Sequence, residues 1–287
     1  MLLELVNQNH VSGWDDPRMP TISGMRRRGY SPASIRNFCK KIGVAKVNST
    51  IPIEFLENCV REDLNKTSIR YMGVLNPLKV VINNFPDNKI EEMDVVNNPE
   101  NPNAGTRKVP FSKNIYIEKE DFMENPSKKF YRLAPGREVR LNNAYLIKCT
   151  NFVKENDEIK EIQCNIDPNT KGGNAVDGRK IKATLHWVSE SHAICAEIRL
   201  YDRLFSVENP TAQKGDYTEY LNKDSLKILK TCKIEAAIKN LKAFDRFQFL
   251  RKGYFCIDPD TNKGKIIINQ TVGLRDTWSK IKKQQNK

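Results

Sequence analysis

The stretch Pro52–Ile82, PIEFLENCVREDLNKTSIRYMGVLNPLKVVI, changes its apolar period part-way along, and that change decides the fold. From Pro52 to Leu64 the apolar residues Leu56, Val60 and Leu64 recur every four positions while Glu54, Glu57 and Arg61 stay outside, which predicts an amphipathic helix. After Asn65 the runs Ile69–Leu75 and Leu78–Ile82 are short and β-rich, and clusters of Asn, Pro and Gly bound them. Helix gives way to strand within these residues.

Toward the N-terminus the helical character continues. Ser31 is a predicted N-cap, Pro32 suits the first turn and Gly43 stops the helix. Ile35, Phe38, Cys39 and Ile42 fall on one face, expected to be buried, while Arg36, Lys40 and Lys41 project elsewhere. Toward the C-terminus further strand-like runs follow at Ile115–Glu118, Glu138–Cys149, Ile181–Val188, Ile198–Phe205, Phe247–Phe255 and Lys265–Asn269. Asn97–Gly105 is read as a loop and Asp167–Gly178 as turn-like. Many short strands with irregular connections predict barrels rather than a parallel sheet.

Composition bounds the function. The 287 residues suit two or three modules, and 39% apolar content fills their cores. No run of about 18 apolar residues occurs and the N-terminus lacks a basic leader, so neither a membrane span nor a secretion signal is read. Seven cysteines without a CxxC pair, and three histidines outside any ligand pattern, point to a reducing cytoplasm and to no metal site. Lys and Arg number 48 against 35 Asp and Glu, a net charge of +13 that favours a polyanion, with nucleic acid the leading class. Asp15 and Asp16, in GWDDPR, suit capping and pairing with Arg18 better than acid/base chemistry. Arg26, Arg27 and Arg28 fit either a phosphate backbone or an exposed helix face.

Read together, the motifs carry more. GWDDPRMPT (Gly13–Thr21) continues as ISGMRRRGYSPASIRNFCKKIGV through Val44. It is followed by VREDLN (Val60–Asn65), KVPFS (Lys108–Ser112), GREVRLNNAY (Gly136–Tyr145) and DGRKIKATLHWVS (Asp177–Ser189). EIRLYDRLFSVENP (Glu197–Pro210), FQFLRKGYF (Phe247–Phe255) and NQTVGLRDTW (Asn269–Trp278) complete the series. In this order they resemble the glutaminyl-tRNA synthetases over essentially the whole chain. GWDDPR is shared with eukaryote-type glutamyl enzymes, whereas RRRGYSPASIRNFC, LYDRLFSVENP and the FQF strand look like the glutaminyl branch.

The resemblance implies a mainly β fold with an N-terminal α-helical segment and two antiparallel β-barrels, one inserted in the other. Residues 1–67 would be the helical stem-contact segment, 68–120 and 209–287 the proximal anticodon-binding barrel, and 121–208 the distal one. It implies that Arg70, Gln248 and Arg251 read the middle anticodon base with Thr277 nearby, and that Arg132 and Arg140 read the third and wobble bases. Arg26, Arg27, Arg28, Lys40 and Lys46 would touch the tRNA stem and backbone. The chain departs from the family at Asn142, where an arginine is usual, at Leu250, where an acid is usual, and at Val47, where a polar residue is usual.

Neither HIGH nor KMSKS, which hold ATP in class I enzymes, occurs in these residues. The expectations are therefore no cofactor in this chain, ATP and Mg in a catalytic domain elsewhere, tRNA(Gln) as partner and a cytoplasmic monomer. Met1 stands a few residues past the family's KMSKS position, so the chain is expected to be an expressed C-terminal piece that is inactive alone. A free-standing, non-catalytic tRNA-binding protein and a glutamyl-enzyme relative are the alternatives.

Overall fold

A computed structural model describes residues 1–47, 49–173, 175 and 177–275. Four helices come first, Leu2–Asn7, Ile22–Arg28, Pro32–Ile42 and Ile53–Thr67, and two seven-stranded, barrel-like sheets with a separate two-stranded hairpin follow. The mainly β expectation with helices at the start holds. The barrels are not purely antiparallel, because Ile194–Tyr201 runs parallel to Ile267–Gly273, Pro77–Ile82 to Glu158–Asp167, and Thr184–Leu185 to Glu138–Leu141.

The chain divides into two compact units, one of residues 1–69, 197–229 and 241–287 and the other of residues 70–196 and 230–240. In the first, the Ser31 side chain accepts from the Ser34 amide and Gly43 ends the helix, as the sequence predicts. The face expected to be buried is only half so. Ile35 and Phe38 pack on the cluster of Tyr30, Leu56, Val60, Leu64, Tyr254 and Val272, whereas Cys39 and Ile42, one turn further on, are exposed. The helical partner Ile53–Thr67 buries Leu56, Val60 and Leu64 as expected. It also buries Arg61, expected outside, because the Arg61 Nε reaches the Gly273 carbonyl at 2.9 Å.

The sheet of this unit pairs Arg246–Phe249 with Gly253–Ile257, and Gly253–Ile257 with Ile267–Gly273. Phe247, Phe249 and Phe255 fill one side with rings 4.9–6.3 Å apart. Strand alternation puts Gln248 on the other side with its cross-strand neighbour Tyr254, which packs on the helical cluster. Both faces are covered, so Gly253–Ile257 is buried along its whole length.

In the second unit the sheet order is Thr184–Leu185, Glu138–Leu141, Leu146–Glu155, Glu158–Asp167, Pro77–Ile82, Asn114–Glu118, Val188–Ser189. Its core is aromatic: Phe85, Tyr145 and Trp187 surround Phe111 at ring distances of 5.1–5.4 Å. The expected strand Glu138–Cys149 is a hairpin, because Asn143 turns the chain at φ 56°. Of the expected run Ile181–Val188 only Thr184–Leu185 and Val188 are paired as strand. Between them Trp187 donates to the Asn142 carbonyl at 3.0 Å and His186 meets Glu118 at 3.3 Å, so side-chain bonds take over from the ladder. Glu91–Val96 and Thr106–Phe111 form the separate hairpin that carries the 97–105 loop.

Candidate nucleic-acid interface

Helix Ile22–Arg28 starts on the Thr21 side chain, which accepts from the Gly24 amide, and stops at Gly29 with φ 103°. Gly29 lies so close to the sheet that a Cβ there would sit 2.4 Å from Thr271 Oγ1 and 2.5 Å from Cys256 Cβ. Only a residue without a side chain lets the helix end make this approach.

The three consecutive arginines of its last turn point in three directions, as a 100° step per residue requires. Arg26 is exposed, with its guanidinium 4.6 Å from the Phe244 ring centroid. Arg28 donates to the Thr271 carbonyl at 3.2 Å and lies over the Tyr201 ring. Arg27 is taken up inside the unit: it donates to Asp258 at 3.0 and 3.1 Å, to Asp15 at 2.8 Å, and to Asp260, which leaves its side chain 12% exposed. Burial works against ionisation of Asp258, but bonds from Arg27, Asn269 and the Asp260 amide outweigh it and hold the carboxyl below the usual range. Asp15 and Asp16 also act structurally, since Asp16 binds Arg18 at 2.7 Å and accepts from the Ser12 amide. Burial opposes ionisation of Asp16 too, yet the Arg18 bonds pull its pKa down to about 2. Lys40 and Lys46 are exposed on the last turn of helix Pro32–Ile42 and in the loop after it.

Gln248 is 7% exposed, and among the described residues its Oε1 accepts no hydrogen bond. A buried amide oxygen without a donor costs about 1–3 kcal/mol unless something supplies one. Arg251 is exposed in the turn that follows, at φ 66°.

The second unit holds the other expected base readers. The Arg70 backbone is locked on both sides, its amide donating to the Asn97 carbonyl at 2.8 Å and its carbonyl accepting from Arg107 Nη2 at 2.8 Å. Arg107 is in turn clamped by Glu235 at 2.5 and 2.9 Å and lies 4.7 Å from the Tyr71 ring centroid. Arg132 is 42% exposed at the side chain and pairs at 3.1 Å with Asp121, which is wholly buried, while donating to the Glu120 carbonyl. Arg140, on strand Glu138–Leu141, donates across to the Gly173 carbonyl, and Val139 and Leu141 turn inward as the period of two predicts. Asn142 presents its carbonyl to Trp187.

Arg26, Arg27, Arg28, Lys40, Lys46, Gln248 and Arg251 therefore belong to one unit, and Arg70, Arg132 and Arg140 to the other. Thr277 lies outside the described residues. Sequence reading missed the acids that hold the arginines: Asp258 and Asp260 for Arg27, Asp121 for Arg132, Glu235 for Arg107. Partners 128 to 233 residues apart leave no local pattern, although Asp121 lies close enough to Arg132 to have been suspected.

Comparison with known proteins gives the context. The anticodon-binding domain of class I tRNA synthetases (E and Q) matches residues 68–167 and again 184–258, and the catalytic domain of the same group matches residues 2–66. The helical segment thus falls within the catalytic-domain pattern. The chain is 51% identical over 281 residues to the glutamine–tRNA ligase of Bradyrhizobium diazoefficiens, covering 98% of this chain and 50% of that protein. It is 52% identical over 289 residues to that of Rhodopirellula baltica, covering all of this chain and 48% of that protein. For Cronobacter sakazakii the figures are 51% over 279 residues, with 96% and 50% covered. The chain spans about half the length of the curated relatives it matches. It belongs to the glutamate and glutamine group of class I tRNA synthetases and carries the anticodon-binding domains of a glutaminyl-tRNA synthetase.

Proposed function

We propose that this chain grips tRNA(Gln) and reads its anticodon, as part of an enzyme that joins glutamine to that tRNA with ATP during translation. The observation that carries the proposal is identity near 50% to proteins named glutamine–tRNA ligase over nearly the whole chain. The net charge of +13 supports it, since a polyanion is the natural partner of such a surface.

The roles are those the family resemblance implies, and chemistry supports them. Unstacked loop bases are recognised on their Watson–Crick edges. The Gln248 amide carries both donors and an acceptor, the set a uracil edge requires, and its buried Oε1 accepts no hydrogen bond among the described residues. With Arg70 and Arg251 it is assigned to the middle base, and Thr277 is assigned beside it. Arg132 and Arg140 are assigned to the third and wobble bases. In Arg132 the buried Asp121 fixes one side of the guanidinium fork while the exposed side keeps donors for RNA. Arg26, Lys40 and Lys46 are exposed and suit phosphates. Arg27 and Arg28, engaged with carboxylates and a carbonyl, hold the helix that presents Arg26.

The sequence lacks HIGH and KMSKS, so ATP and Mg are assigned to a catalytic domain that has those motifs, and the chain by itself is expected neither to activate glutamine nor to charge tRNA. It acts as a cytoplasmic monomer, which sedimentation of the purified chain would check.

The test is a gel-shift titration at fixed salt with tRNA(Gln) transcripts altered at each anticodon position. Weaker binding for every altered letter is expected, and equal affinity for all transcripts would refute base reading. ATP–pyrophosphate exchange by the chain above background would refute the assignment of chemistry elsewhere.

A further inference from the structure

Tyr131 is 52% exposed, among the most solvent-facing aromatic rings of the described residues. The chain on both sides of it is tied down. The Phe130 amide donates to Ser127 and the Phe130 carbonyl accepts from Arg137 Nη1. Arg132 is pinned by Asp121 and the Glu120 carbonyl. Leu133, fully buried, exchanges backbone bonds with Asp121 at 3.0 Å and Met123 at 3.1 Å. The ring is thus held out into water from a fixed loop, so little ordering remains to be done when something binds it.

Above the ring stands a cation: the Lys182 Nζ lies 4.6 Å from the Tyr131 centroid. The distance is within cation–π range, and Lys182 is itself exposed. An exposed pair of this kind adds little to the stability of the fold and leaves ring surface accessible to a ligand. A fixed aromatic face beside a lysine and an arginine has the composition of a single-strand stacking site, where bases lie on rings and basic side chains follow the backbone.

We infer that Tyr131 is a stacking platform for one unpaired RNA base, with Lys182 neutralising an adjoining phosphate. The inference rests on the tRNA-binding reading above and adds to it a contact indifferent to which base is bound, beside Arg132, which discriminates.

The experiment uses the full chain and an anticodon stem-loop RNA carrying 2-aminopurine at single loop positions. The wild-type chain quenches the fluorescence of at least one position on binding. Tyr131→Phe keeps both the quenching and the affinity. Tyr131→Ala loses the quenching and weakens binding about 5- to 100-fold for every anticodon sequence alike. Lys182→Ala lowers the slope of log affinity against log salt by about one. Because the ring is exposed, Tyr131→Ala melts at the wild-type temperature, and a large fall would mark the ring as structural and overturn the inference. Wild-type quenching and affinity in Tyr131→Ala, while the wild-type chain still discriminates anticodons, would overturn this inference alone. Failure of the wild-type chain to bind the stem-loop would take the proposed function down as well.

Discussion

Two basic stretches of this chain, MRRRGY at 25–30 and KKFYRL at 128–133, use their arginines in opposite ways. In helix Ile22–Arg28 the central arginine, Arg27, meets three carboxylates and is nearly buried. In the loop before strand Glu138–Leu141, Arg132 meets one buried carboxylate and stays 42% exposed. The first arrangement turns charge into cohesion, and the second turns a buried acid into a mount for a half-free guanidinium. A positive residue count therefore says little until the acids facing it are known.

The largest expected effect breaks the cohesive region. Arg27→Ala leaves Asp258 wholly buried without its main partner, and should cost about 3–5 kcal/mol of unfolding free energy measured by urea titration. A loss below about 1 kcal/mol would put the two regions in one class. Gly29→Ala should cost about 3 kcal/mol by the same measurement, since the added methyl meets Thr271 and Cys256 at a φ of 103°; wild-type stability there would show that the helix end does not bear on the sheet.

Acid sharpens the comparison next. Asp16 titrates near 2 in the folded chain against an ordinary value of 3.8, and Asp258 is also depressed. A depressed carboxylate adds stability that is complete above its unfolded pKa and is lost as pH falls through the folded one. Asp16 should thus contribute about 2 kcal/mol above pH 4 that fades towards pH 2. Thermal melts of wild type and Asp16→Asn between pH 6 and pH 2 should converge at the acid end, and parallel curves would count against the Arg18 pair.

In the region assigned to RNA, Arg132→Ala should weaken tRNA binding by about 1–3 kcal/mol and blur one anticodon letter, and it should also lower the melting temperature, though less than Arg27→Ala, because the wholly buried Asp121 loses a partner. The smallest effect belongs to Lys40→Ala, which should weaken every tRNA alike and lower the salt slope by about one, without changing discrimination. Were Lys40→Ala to alter anticodon preference, the split between gripping and reading residues would be wrong.

Helices were legible where local chemistry decides them. Ser31, Pro32 and Gly43 set the ends of one helix within a residue, because caps act on the nearest amides. Burial was less legible, since it depends on what lies opposite: Cys39 shares a stripe with Phe38 yet finds nothing to cover it. Strand runs were located, but their breaks at Asn143 and at Asn156–Asp157 depend on left-handed residues that asparagine and aspartate tolerate without announcing. The strands Glu158–Asp167, EIKEIQCNID, and Leu226–Ile234, LKILKTCKI, escaped notice because charged and polar residues interrupt their apolar positions, and pairing rather than propensity makes them strands. Of the site, the family-like motifs gave the arginines. Their orienting acids, and the ring beside Arg132, came only with the tertiary structure.

The division of the chain has a kinetic corollary. The second unit is made of residues 70–196 and 230–240, so its final piece leaves the ribosome only after 33 residues, 197–229, of the other unit have been made. Strand Leu226–Ile234, whose last residues pair with Gly73 and Val74, cannot dock until then. Folding must wait on contacts between residues some 160 positions apart, and loop closure over such spans is slow. Until that strand arrives, Gly73–Val74 presents an open edge during synthesis, the kind of surface on which nascent chains aggregate or recruit chaperones.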